Sequence, residues 1–302
     1  MGEQPVVSII MPCYNDGQYI QQAIDSCLRQ TFQSIEIIVV DDGSDERETA
    51  SALKTLTDPR IVLLHSDHIG PAGARNMAIE HARGRYILPL DADDWIEPEY
   101  IAQAAAVLDS RPEFGIVYCH ASLFGTKDGI WRLPDYSLES FLLDNCIFIT
   151  ALFRKEDWRA VGGFSEKFCH GLEDYDFWLS LVELGRGVYQ FPDIWFHYRI
   201  KKSSRSSQMV NSISQTAATY ELLYQRHRKL YMQHVDEYIM NLRRALIEQK
   251  MLNNHTTAQA SDPVAEYWQT IRLLKPKQAK RIEQLLSLKD SIKGVKRWLY
   301  PK

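Results

Sequence analysis

Residues 36–45 read Glu-Ile-Ile-Val-Val-Asp-Asp-Gly-Ser-Asp, and this stretch decides the class of fold. Four consecutive β-branched side chains describe a strand covered on both faces, because a strand with one wet face alternates apolar with polar residues. The change to two aspartates and a glycine is turn chemistry at the strand's carboxyl end. The same grammar recurs on either side. Residues 6–11 form another apolar run, stopped by Pro12, after which Asn15 or Asp16 caps a helix to about Gln30. A helix near 46–56, a strand at 61–65, a helix near 72–83 and a strand at 86–90 follow, the last running into Asp91-Ala92-Asp93-Asp94. Pro98 opens a helix to about Ser110, and residues 115–120 are a further strand. Buried strands alternating with helices predict βαβ units: an α/β, Rossmann-like, mostly parallel sheet flanked by helices.

Beyond this core the pattern loosens. Residues 147–153 read as a strand, 161–171 as a loop, 173–184 as a helix, and 188–191 and 195–200 as short strands. Residues 216–252 then carry apolar side chains at helical spacing. The expected organisation is one α/β domain over 1–207 and a helical extension over 208–302. With 302 residues, 45% of them hydrophobic, and a net charge of −4, wholesale disorder is excluded and nucleic acid is not the expected partner. Nothing reads as a membrane span or a signal peptide. The five cysteines lack metal or CxxC spacing and are expected as buried free thiols in a reducing cytoplasm.

In an open α/β sheet, ligands bind beyond the carboxyl ends of the strands. Here that edge carries Asp41-Asp42 and Asp91, Asp93 and Asp94. One such pair is ordinary turn chemistry. Two clusters at one edge concentrate negative charge that needs a cation, and Mg²⁺ or Mn²⁺ are the oxygen-seeking candidates.

Four blocks carry a family resemblance: VSIIMPCYND at 7–16, IVVDDGSD at 38–45, GPAGARNMAIEHARGRYILPLDADDWIEP at 70–98 and GLEDYDFW at 171–178. In this order they resemble the family 2 glycosyltransferases, inverting enzymes of the GT-A fold, over about residues 5–207. The resemblance implies that Pro12 and Tyr14 line a base pocket and that Asp42 hydrogen-bonds the base. Arg75 would lie near the nucleotide, with pairing to Asp91 or Asp94 as its alternative role. Asp91 and Ala92 fall in the Asp-x-Asp motif beside the ribose, and Asp93 is its metal-binding end. Glu173-Asp174 matches the family's Glu-Asp pair, Asp174 being the expected general base, with Glu173 next and Asp176 a rival. A carboxylate is needed there because a sugar hydroxyl is a poor nucleophile until its proton is taken.

Family members often follow the base with Tyr-Arg-x-His and serines. This chain has Tyr198-Arg199-Ile200-Lys201, so Lys201 stands where the histidine would be, and His197 falls just before the block. His197 is therefore either a ligand of the metal or diphosphate, or neither. Lys201, Lys202 and Arg205 either grip the diphosphate or are a solvated basic loop. Cys169, His170 and Trp178 would line an acceptor site unless Trp178 is core, and Trp131 offers a face for a sugar. The implied reaction moves a sugar from a nucleoside diphosphate sugar, UDP-linked, to a hydroxyl of a glycan or lipid-linked acceptor, with metal assistance and inversion, as in polysaccharide biosynthesis. A nucleotidyltransferase would carry a glycine-rich basic loop where Pro12-Cys13-Tyr14-Asn15 stands. A catalytically silent glycan-binding or scaffold relative is disfavoured by the intact Asp93 and Asp174.

The charge is uneven. Ten basic residues stand against Glu283 and Asp290 over residues 271–302, a charge of +8, which with −4 for the whole leaves −12 on the other 270 residues. Leucines, Val295 and Trp298 between these charges suit a basic amphipathic helix, either peripheral on an anionic membrane's inner face or packed on the domain. The apolar stripe at 216–252 packs on its own domain or on a second subunit of a homo-oligomer.

Overall fold

Ile9, Ile10, Ile37, Val39 and Val40 expose no surface, as expected where β1 (Val7–Cys13) and β2 (Ile35–Asp41) are covered on both faces. The computed structural model describes residues 4–202 and 213–256. After β1 come α1 (Gly17–Leu28), β2, α2 (Arg47–Lys54), β3 (Ile61–His65), α3 (Gly70–His81) and β4 (Tyr86–Pro89). Strands β3, β2, β1 and β4 lie side by side and parallel. All four carboxyl ends therefore face one edge, where both acidic clusters emerge. Pro12 lies inside β1 rather than ending it, paired with Val40. On its other side β4 stops at Pro89 opposite Ile10, so the missing N–H of Pro12 costs no ladder bond there.

The second half of the sheet is mixed. β5 (Trp95–Ile96) and α4 (Tyr100–Ser110) precede β6 (Phe114–Gly125), which carries β7 (Gly129–Trp131) on one side. α5 (Leu138–Leu143), β8 (Leu152–Arg154), α6 (Lys155–Val161), α7 (Glu173–Glu183) and β9 (Gly187–Ile200) follow. The strand order is β3-β2-β1-β4-β8-β6-β9-β5, with β4–β8, β8–β6 and β9–β5 antiparallel and β6–β9 parallel. The strand expected at 147–153 shrinks to three residues. The two short strands expected at 188–200 are one, with a register shift near Tyr118–Ala121 that leaves Pro192 and Asp193 outside the pairing.

α8 (Ile213–Arg226), α9 (Arg228–Gln233) and α10 (Val235–Thr256) are separated at His227 and His234. The chain divides into two compact units, Met1–Tyr238 and Ile239–Lys302. The first ends later than the 207/208 boundary read from composition, because Leu223, Leu230 and Tyr231 are buried in its core. That part of the apolar stripe packs on its own domain. The amphipathic tail at 271–302 lies outside the described residues. Among the described residues no helix is long and apolar enough to cross a membrane. Cys13, Cys27, Cys119 and Cys146 are buried free thiols as expected, whereas Cys169 is exposed.

Candidate active site

At the carboxyl ends of β1 and β2 a hydrogen-bonded loop network is organised by Asp42. Its carboxylate, almost fully buried, accepts from the Ser66 hydroxyl (2.8 Å) and the backbone N–H groups of Ile69 (2.7 Å) and Gly70 (2.9 Å). An ionised carboxylate has about four acceptor positions, so one remains. Gly43 follows with φ +75°, and a Cβ there would stand 2.9 Å from the His68 backbone nitrogen. Only glycine permits that approach without strain. Tyr14 is 43% exposed and leans on the His68 ring, centroids 4.3 Å apart. The phenol therefore presents a free face beside Asp42. Asn15, at φ 56°, uses its amide to bind Asp45 and the N–H of Glu46, not to cap α1. Asp16 is the N-cap residue, with no side-chain capping bond.

Arg75 joins the two halves of the site. Its guanidinium, on α3 and almost fully buried, donates to Asp91 Oδ1 (2.7 Å) and to Glu173 Oε1 (2.9 Å). Burial works against its charge, but Asp91 and Glu173 outweigh that and push its pKa up. Of the roles open to Arg75, pairing with Asp91 is the one observed. The bridge ties the end of β4 to the first turn of α7. Leu172, the residue before that helix, has left-handed backbone (φ 68°), a conformation costly for a branched side chain and held here by its surroundings. Glu173 is buried on Arg75. Asp174 is half-buried, its Oδ1 accepting from the Tyr175 N–H (2.7 Å) and its Oδ2 from the Asn145 amide (3.1 Å). In the sequence Asn145 shows only as a polar interruption, with Asp144, of the apolar stretch 141–153.

The antiparallel pairing of Trp95 with His197 carries the residues before Trp95 past those after His197. Lys201 thus reaches Asp93: its ammonium lies 2.8 Å from Asp93 Oδ2 and 2.8 Å from Asp16 Oδ1. Arg199 donates through Nε to the Asp93 carbonyl (2.8 Å) and through its N–H to Asp94 Oδ1 (2.8 Å). Asp94 is fully buried. Burial, then the charges of Asp93 and Asp91, push its pKa well up. Asp93 is also pushed up by burial, against the pull of Lys201.

His197 is spent elsewhere. Its ring stacks on Trp95 with centroids 3.5 Å apart, Nδ1 meets the Ser122 hydroxyl (2.6 Å) and Nε2 the Glu97 carboxylate (3.0 Å). Both ring nitrogens of His197, which the sequence leaves as either a ligand of the metal or diphosphate or neither, have protein partners here. Among the described residues no three His, Cys, Asp or Glu side chains converge as a ligand set. The group at the family's histidine position is an ammonium, which cannot ligate a cation. Among the described residues, the side chains around Asp93 do not fit a divalent-ion site.

Other expected residues fall into place. The Ala92 side chain is buried in the core and Trp178 is fully buried there. Trp131 packs against Tyr198 and Phe148. Pro12 is half-buried, and Cys169, His170 and Lys202 are exposed. Arg205 lies outside the described residues.

Asp176, the rival base, is 1% exposed and fully engaged, by Arg226 (2.6 and 3.2 Å) and by His227 Nε2 (3.0 Å), whose Nδ1 meets Glu183 (3.0 Å). This cluster pins α7 to α8. Burial pulls the His227 pKa down, but the hydrogen bonds to Asp176 and Glu183 outweigh it and the net shift is upward. A raised pKa contributes stability in full below the unfolded value of about 6.5 and loses it as pH rises through the folded value. His227→Gln is expected to destabilise by about 2 kcal/mol at pH 6. Its deficit against the parent should shrink by pH 9 in paired denaturation curves. A deficit constant with pH would refute the charged form.

Residues 8–163 match Glycosyl transferase family 2. Over 207 residues the chain is 35% identical to the Escherichia coli UDP-Glc:alpha-D-GlcNAc-diphosphoundecaprenol beta-1,3-glucosyltransferase WfgD, a match covering 67% of this chain and 80% of that protein. A Pasteurella multocida chondroitin synthase is 30% identical over 188 residues, 60% of this chain, and the chain spans only about a fifth (19%) of its length. The mannosyltransferase PcManGT from Pyrobaculum calidifontis, solved with GDP-Man and Mn²⁺, superposes with a TM-score of 0.56 at 20% identity, covering 97% of this chain and 88% of that one. That likeness concerns the fold, which is the expected GT-A architecture. With the family match spanning half the chain, the protein belongs to glycosyl transferase family 2.

Proposed function

We propose that the protein transfers a sugar, with inversion, from a UDP-linked donor to a hydroxyl of a glycan or lipid-linked acceptor, with Asp174 as the general base. The observation that carries this reading is the Arg75 bridge. One buried guanidinium fixes Asp91, at the end of the donor-side strand, and Glu173, the neighbour of Asp174. A single inverting displacement needs that arrangement, a base held rigidly opposite the bond from sugar to diphosphate. Tyr14 would stack on the base, the remaining acceptor position of Asp42 would take its N–H, and Asp91 lies where the ribose would pass. The leaving diphosphate gathers negative charge, and the cations nearest Asp93 are Arg199 and Lys201. A lipid-linked acceptor, as in WfgD's name, would bring the protein to a membrane surface, the role one reading of the sequence gives to residues 271–302.

Thermal-shift measurements with UDP-, GDP-, ADP- and dTDP-sugars test the class. One series, expected to be the UDP sugars, should stabilise the protein. Asp42→Asn should weaken that ligand by about 10-fold to 100-fold, the worth of one charge-assisted hydrogen bond. No shift with any donor, together with no turnover, would refute the reading.

A further inference from the structure

Lys201 is held where the chain would otherwise need a cation. Its ammonium sits 2.8 Å from carboxylate oxygens of both Asp93 and Asp16, with the side chain 26% exposed. An ammonium has three N–H donors; these two contacts leave one for a further acceptor on the open side. Asp16 precedes α1, and Tyr19 on that helix places its ring centroid 5.5 Å from the same nitrogen. The lysine is therefore positioned by three groups rather than waving from a loop.

Arg199 is fixed beside it. Its guanidinium lies 4.3 Å from the ring centroids of both Tyr19 and Phe124, and Nη2 reaches Gln22. Together the two side chains bring two positive charges to Asp93, the charge a divalent ion would bring. A divalent ion at Asp93 would have to expel the ammonium from Oδ2 and then sit beside it, a like-charge contact in a partly buried site. A diphosphate would also face the carboxylates of Asp93 and Asp16, and the ammonium and guanidinium that already balance them are the groups that would offset this; among the described residues the third N–H of Lys201 is left to meet it.

We propose that Lys201 is a resident cation that holds Asp93 and donates to the diphosphate of the nucleotide donor, so that donor binding does not require a divalent metal. This rests on the nucleoside diphosphate sugar reading above, and goes beyond it by naming the group that meets the diphosphate. Such a contact is charge-assisted and among the stronger hydrogen bonds available.

The test is calorimetric titration of the full chain with UDP, GDP, ADP and dTDP, in EDTA and in Mn²⁺. Uptake of Mn²⁺ is followed in parallel by the paramagnetic resonance signal of the free ion. The unmodified protein should bind one of these nucleotides with affinities within threefold in the two buffers, and should leave the Mn²⁺ signal undiminished. Lys201→Ala should lose tenfold or more of the affinity in EDTA. Lys201→His should bind weakly in EDTA, recover with Mn²⁺, and withdraw the ion from solution when nucleotide is present. A tenfold loss in EDTA for the unmodified protein, or nucleotide-dependent Mn²⁺ uptake by it, would overturn the proposal and make Lys201 a group that metal displaces. Unchanged EDTA affinity in Lys201→Ala would overturn it as well. Binding of none of the four nucleotides in either buffer would instead refute the donor reading, and the proposal with it. The comparison of the two buffers uses no variant, so it stands even if a substitution impairs folding.

Discussion

Asp174→Asn is expected to lower turnover by about 100-fold to 10,000-fold, the usual worth of a positioned general base, while nucleotide affinity and melting temperature stay near those of the parent. Asparagine has the shape of aspartate but cannot accept a proton at neutral pH. The contacts of this half-buried side chain include the Tyr175 N–H of its own helix and the Asn145 amide. An amide oxygen can keep one of these, and the site is part-exposed. The rival carboxylates are more deeply buried. Glu173 is buried against Arg75, and Asp176 is enclosed by Arg226 and His227. Asp176→Asn should therefore lower stability more than turnover. The measurement is steady-state transfer to acceptor with the donor identified by thermal shift, alongside nucleotide titration. Turnover of Asp174→Asn within fivefold of the parent would remove Asp174 as the base.

The parts of this molecule that a sequence displays are those with enough residues to show a period. β1, β2 and β4 are legible because each is a run of buried side chains between turn signals, and the more exposed β3 because its apolar residues stand between such signals. β5 and β7, of two and three residues, offer no period to read, and β9 looked like two strands because Pro192 and Asp193 bulge out of it. At the site, the acidic clusters were legible as residue types at the carboxyl edge of a parallel sheet. Arg75 was legible as a partner of Asp91, but the more distant partners were not. Arg75 meets Glu173 across 98 residues and Lys201 meets Asp16 across 185, separations at which local pattern is silent. Lys201 was noticed as a departure from the family's histidine, but its place at Asp93 follows from the β5–β9 register. His197 belongs to the same register and lands over Trp95 and Glu97 instead. His227 and Arg226 were hidden inside what read as one continuous helical stripe.

Arg75→Ala is expected to be the most destabilising single substitution at the site. One guanidinium meets two carboxylates there: Arg75 and Glu173 side chains are 4% and 7% exposed, Asp91 32%. Removing it takes the guanidinium partner from a buried carboxylate, at a cost of about 3–5 kcal/mol, a fall in melting temperature of roughly 10 °C for a unit of this size. Arg75→Lys separates charge from geometry. Lysine keeps the charge but offers one compact donor group in place of a planar fork that spans two carboxylates. It should recover part of the stability and little of the turnover, because Asp91 and α7 would no longer be clamped together. Pairing Arg75→Leu with Glu173→Leu gives the converse: without a stranded buried charge, much of the lost stability should return. Turnover should stay low, since the first turn of α7 no longer has a tether to the donor side. If Arg75→Ala instead melts within 2 °C of the parent, the bridge is not what holds Asp174 in place. If the double substitution regains full turnover, Arg75 matters only as a neutraliser of Glu173, and the coupling of base helix to donor strand must run through other contacts, of which Asn145–Asp174 would be the next to break.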